Sequence, residues 1–145
     1  MKLLLPLLLC FGCMQSRKII NSVSCNNKVN IQYDRNSSKR TLSVNESKSF
    51  TVFFLNEFHN RVKGYVNGSL KFNEMVETNV TTGKSDKNFI FRYENREPLP
   101  ILKIEIEEGN CIDIKVQEGY RFVYIFYDSK KEWTVRFSNK YYVEN

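Results

Sequence analysis

The chain has 145 residues, with 22 Lys and Arg against 16 Asp and Glu, a net charge of +6 and an aromatic content of 14%. That length makes one domain able to bury a core of its own. The basic excess is scattered over Arg17-Lys18, Lys39-Arg40, Lys84, Lys87 and Lys130-Lys131; without a dense basic face interleaved with stacking aromatics, it argues for solubility and loose affinity for acidic surfaces and against nucleic-acid binding.

The chain opens Met1-Lys2 and continues with an apolar run from Leu3 to Cys13. One positive charge followed by a short apolar stretch is the layout of a secretory signal. The run is shorter than the roughly 20 apolar residues that span a bilayer. Residues 1–16 are therefore expected to be a signal peptide and residues 17–145 a single secreted domain, with no membrane span. A lipid-bearing Cys13 is the bacterial alternative. Once the signal is removed, Cys25 and Cys111 are the remaining cysteines. In an oxidising compartment such a pair is expected to bond. Four Asn-x-Ser/Thr triplets, at Asn36, Asn45, Asn67 and Asn79, lie in polar, turn-like stretches and are candidate glycosylation sites.

Period-two alternation dominates from there on. Val29, Ile31 and Tyr33 alternate with Asn30 and Gln32, and Leu42 and Val44 suggest a short strand. Residues 50–55 form a nearly continuous apolar run, as in a strand buried on both faces. Residues 62–66 and 70–76 flank Asn67-Gly68, a strong hairpin signal. Residues 77–88 are polar and predict a surface loop, followed by alternation at Phe89, Phe91 and Tyr93. In the second half, residues 102–106 and 112–116 alternate around a turn at Gly109. Glu118-Gly119 predicts the next turn. Residues 122–127 are apolar on both faces, Asp128 to Glu132 turn again, and Trp133, Val135 and Phe137 close the series before residues 141–143. Residues 101–139 thus predict consecutive antiparallel strands, a meander. About ten short strands and no helix imply an all-β antiparallel two-sheet sandwich.

Catalytic chemistry finds no constellation in these residues. His59 is the sole histidine, and neither a nucleophile elbow nor a metal-ligand spacing accompanies it. Six glycines include no phosphate-binding loop. Glu105 and Glu107 occupy the polar face of an alternating strand, where charge pairs with neighbours are expected. The sequence is read as a binding or structural protein without metal, cofactor or enzymatic activity.

Residues 49–145 resemble the galectin domain. Ser49-Phe50-Thr51-Val52-Phe53-Phe54-Leu55-Asn56 looks like an early galectin strand. Phe91-Arg92-Tyr93-Glu94-Asn95-Arg96-Glu97-Pro98-Leu99 looks like the family's Trp-Gly-x-Glu-x-Arg motif, with Phe in place of Trp, and His59-Asn60-Arg61 looks like a shortened His-x-Asn-Pro-Arg. The resemblance implies a jelly-roll sandwich that binds glycans or glycoproteins. It implies a stacking face from Phe91 and hydrogen bonds from Glu94, Arg96, His59 and Arg61. If so, Glu94 and Arg96 share a concave face with His59 and Arg61. The alternative is an immunoglobulin-like or transthyretin-like sandwich that acts through contacts with extracellular proteins.

Overall fold

The computed structural model describes residues 25–34, 48–94, 98–107 and 109–141. Among the described residues nine strands form: β1 (Val29–Tyr33), β2 (Lys48–Asn56), β3 (His59–Val66), β4 (Ser69–Glu77), β5 (Lys84–Tyr93), β6 (Ile101–Glu107), β7 (Asn110–Lys115), β8 (Phe122–Tyr127) and β9 (Trp133–Ser138). They make an all-β, two-sheet sandwich. A five-stranded sheet has the order β1-β9-β8-β2-β5, and a four-stranded sheet the order β4-β3-β6-β7.

The core lies where the alternating apolar sets of the two sheets meet. Val52 and Phe54 of β2, Val123 and Ile125 of β8, and Trp133, Val135 and Phe137 of β9 face Val62 and Val66 of β3, Leu102 and Ile104 of β6, and Ile112 and Ile114 of β7. Phe58, on the short link between β2 and β3, is fully buried against Phe54 and Trp133. Asn110 organises one end of the sandwich. Its side-chain oxygen accepts bonds from the Trp133 indole (3.1 Å) and Asn27 (3.2 Å), and its amide donates to the Tyr127 hydroxyl (3.1 Å). These bonds satisfy polar groups that burial would otherwise leave costly.

The Asn67-Gly68 hairpin forms as expected. Both residues have positive φ, 49° and 79°, the geometry of the type I′ turn that matches strand twist. The expected disulfide is also present: Cys25 and Cys111 are bonded, with α-carbons 5.2 Å apart. Cys25 precedes β1 of the five-stranded sheet and Cys111 lies in β7, the edge of the four-stranded one. The bridge therefore ties the two sheets together along one open side.

Three details differ from the sequence expectation. The polar stretch 77–88 is mostly strand, since β4 runs to Glu77, β5 starts at Lys84, and Thr78 bridges Ser85. The turn shrinks because the Asn79 side chain caps it, accepting from the backbone N–H of Thr81 (2.8 Å) and Thr82 (3.1 Å). Next, residues 101–139 are not one meander. β6 and β7 pair in the four-stranded sheet, β8 and β9 in the five-stranded sheet. The segment around Glu118-Gly119 changes sheets rather than closing a hairpin. Third, two pairings are parallel: β1 with β9, and β2 with β8. The suggested strand at Leu42 and Val44 falls outside the described residues, as do Asn36 and Asn45.

At the end opposite Asn110, Tyr93 is buried beside the Lys48–Glu118 ion pair. Burial pushes its hydroxyl above the usual phenol value; Lys48 opposes this and Glu118 adds to it. A group held protonated by the fold stabilises it below its unfolded pKa of about 10 and ceases to do so as pH rises through the higher folded value. Alkaline titration followed at the tyrosinate absorbance band should show Tyr93 ionising late. Its ionisation should coincide with weakening of the far-ultraviolet strand signal, and Tyr93→Phe should remove that phase.

Candidate functional site

The resemblance-derived residues do not converge. Phe91 is on the inward side of edge strand β5, half-buried, with ring centroids 5.6 Å from Phe50 and 6.5 Å from Tyr93. The Lys71 ammonium lies 5.8 Å from its centroid. Glu94 is exposed just past the end of β5, and Arg96 falls outside the described residues. His59 and Arg61 are exposed on the outer face of β3, in the other sheet. His59 borders an open depression of about 540 Å³ shared with Asn56, Glu57, Thr78 and Asn79. Arg61 reaches across to the Asn73 backbone and side-chain oxygens, both at 3.4 Å.

The β2–β5 register pairs Leu55 with Lys84 and Lys48 with Tyr93. Glu94 is therefore at the opposite end of the sandwich from His59, which follows closely on Asn56. A strand of nine residues separates them, roughly 30 Å at about 3.3 Å per residue. The shared concave face that the resemblance implies is not assembled from Glu94, His59 and Arg61.

The tempting carboxylates on the four-stranded sheet have partners. Glu105 takes ion pairs from Lys63 and Lys103, each at 3.3 Å, while Asn60 donates to Glu107 at 3.5 Å. Among the described residues no group of three or more His, Cys, Asp or Glu is arranged to hold a metal. Two acceptor asparagines can be placed. Asn67 and Asn79 are both exposed in turns, with their side-chain oxygens engaged by backbone N–H groups.

A different constellation stands on the outer face of the five-stranded sheet. Strands β2 and β8 lie side by side, and each is apolar on both faces. Their inward residues enter the core. Their outward ones, Phe53, Phe122 and Tyr124, form a second aromatic layer. Phe53 stacks on Tyr124 at 5.3 Å and tilts against Phe122 at 6.0 Å. Beyond β9 the chain folds back over this layer. The Tyr124 hydroxyl donates to the Lys140 carbonyl (2.9 Å), and the Tyr141 ring meets Phe53 and Phe122 edge-on at 5.6 and 5.9 Å. Tyr124 is thereby only 3% exposed, whereas Tyr141 itself remains 64% exposed.

The register sets one row across the sheet, in the order Asn88, Phe53, Tyr124, Arg136, Gln32. Where this row meets β5 there is a cleft of about 140 Å³. Phe53, Tyr124 and Tyr141 supply its aromatic side, and Lys84, Ser85, Asp86 and Asn88 its polar side. It is smaller than the roughly 300–1,000 Å³ of a drug-sized site, so it suits a single ring, or one ring of a longer ligand.

The sequence carried a trace of this site. Both-sided apolarity at residues 50–55 and 122–127 marks strands whose second face also needs cover. It does not say that the cover is Tyr141 or that the two strands are neighbours. Compared with family models, curated proteins and solved structures, the chain matches none.

Proposed function

We propose that the chain is a secreted, non-catalytic carbohydrate-binding β-sandwich, with its site in the cleft between Tyr141 and β5. The observation that carries this reading is the juxtaposition there of three aromatic rings with Lys84, Asp86 and Asn88. A sugar has an apolar ring face that stacks on an aromatic and hydroxyls that need directional donors and acceptors. The reading keeps the ligand class implied by the galectin resemblance and moves the site to another face. Export is supported by the signal-like residues 1–16 and by the Cys25–Cys111 bridge. Asn67 and Asn79 are the described candidates for glycosylation.

Calorimetric titration with galactose-containing oligosaccharides tests the site. Wild type should bind in the millimolar range or tighter. Tyr141→Ala should weaken binding about 2–13-fold, the equivalent of an aromatic contact worth about 0.5–1.5 kcal/mol. Because Tyr141 is exposed, its loss should leave the thermal midpoint nearly unchanged. Binding lost in Arg96→Ala and retained in Tyr141→Ala would return the site to the galectin-like motif. No heat with wild type would favour the protein-contact reading.

A further inference from the structure

We infer that the ligand of this face is an anionic glycan, one carrying sulfate or uronate groups, held by Arg92, Arg121 and Arg136. The inference rests on the carbohydrate reading above and specifies its chemistry. The three arginines are far apart in sequence but lie on one surface. Arg92 is outward on β5, opposite Ser49 of β2. Arg121 immediately precedes β8, its guanidinium 5.8 Å from the Phe122 ring centroid. Arg136 is outward on β9, opposite Tyr124, its guanidinium 5.0 Å from the Phe126 centroid.

None of the three has a carboxylate partner among the described residues. Arg136 instead donates two bonds to the neutral Gln32 side-chain oxygen, at 3.2 and 2.9 Å, so it is oriented without being neutralised. On the outer face of the other sheet, by contrast, Lys63 and Lys103 share the carboxylate of Glu105. Part of the chain's positive excess therefore stands uncompensated on the aromatic face.

Arginine forks suit sulfate and carboxylate oxygens, which they can bind in two-pronged fashion. Holding a guanidinium over a ring reduces the ordering needed when the anion arrives. Neighbouring strands are about 4.8 Å apart, so the row from Asn88 to Gln32 crosses about 19 Å. With one ring in the cleft, several sugar units along this row reach Arg136. Arg121 and Arg92 lie about 10–13 Å from the row, three residues from Tyr124 on β8 and four from Asn88 on β5, and are met by a chain that turns toward the Lys48 end of the sheet.

The test uses the full mature chain against dextran sulfate, alginate and neutral dextran, with single-stranded DNA of matched charge as a fourth probe. Dextran sulfate or alginate should bind at least about tenfold more tightly than neutral dextran, and added salt should weaken that binding. The triple variant Arg92→Gln, Arg121→Gln, Arg136→Gln should lose on the order of tenfold or more of the affinity. A variant with equal charge loss on the other face, Lys63→Gln, Lys103→Gln, Lys115→Gln, should lose little. DNA binding as tight as the sulfated glycan, or equal losses in the two triple variants, would overturn the inference by reducing it to net charge. Galacto-oligosaccharide binding with no preference for anionic polymers would overturn it while leaving the carbohydrate reading intact. Absence of all sugar binding would overturn both. The comparison of polymers on wild type stands even where a variant fails to fold.

Discussion

Replacing both Cys25 and Cys111 by serine should destabilise the protein by about 3–5 kcal/mol, with a thermal midpoint lower by on the order of 10 °C. The bridge joins residues 86 apart in sequence. In the chain-entropy model, closing so long a loop in the unfolded chain is worth roughly 4–5 kcal/mol, and often less is realised. The native side of the argument is local. Cys111 is fully buried, and the segment ahead of β1 is otherwise held to β7 by the Asn27 amide, which bonds the Asn110 side chain and the Cys111 carbonyl at 3.2 and 3.1 Å. Without the bridge, β1 is held at a sheet edge by its pairing with β9, by the Gln32–Arg136 and Asp34–Ser138 side-chain bonds and by the Asn27 amide. Urea titrations of the double variant and of reduced wild type should agree with each other and fall below oxidised wild type. Amide exchange should quicken first in β1. A midpoint unaffected by reduction would refute the prediction.

The second large effect is expected at Gly64, in the middle of β3 where the register with β4 shifts. A β-carbon there would stand 2.8 and 2.9 Å from two atoms of the Phe89 ring and 3.3 Å from the β-carbon of Phe72. The Phe89 ring has little room to yield. It stacks on Phe72 at 5.2 Å with an interplanar angle of 20°, and Phe54 lies 6.4 Å away on the same side, itself 5.3 Å from Phe72. Gly64→Ala should cost about 1–3 kcal/mol by overpacking, and Gly64→Val more. The absence of a side chain lets β5 of one sheet close against β3 of the other. Phe89→Leu in the Gly64→Ala background should recover part of the loss, giving a coupling of opposite sign to the single effects. Additive losses in that double-mutant cycle would show that the clash is not with Phe89.

The strands themselves were readable because period-two alternation is a local signal. Leu102, Ile104 and Ile106 are inward in β6, and Ile112 and Ile114 in β7, as the pattern requires. Asn67-Gly68 fixes its turn through backbone geometry confined to two residues. What alternation lacks is any mark of which sheet a strand joins. Gln117 to Arg121 has the polar, glycine-bearing look of a hairpin turn, yet it carries the chain from one sheet to the other. Parallel pairing of β2 with β8 joins segments whose local sequences hold no reference to each other. Polarity misled at residues 84–88, because an edge strand can expose Asp86 and Asn88 and still pair with β2. The candidate site was legible only as two apolar runs. Arg92, Arg121 and Arg136 are isolated in sequence and become a group only through the strand order β9-β8-β2-β5.

The parallel pairing of β1 with β9 also sets a timetable. Gln32 and Arg136, opposite one another in that ladder, are 104 residues apart. At a synthesis rate of about 5–20 residues per second, roughly 5–20 s elapse between the emergence of one and the other. Throughout that interval Val29, Ile31 and Tyr33 are an extended apolar segment with no native strand to join, and Cys25 is a thiol whose partner is made late. The first of the described strands is thus among the last to be secured. Factors that shield unpaired strands and thiols on a growing chain would act on this segment first.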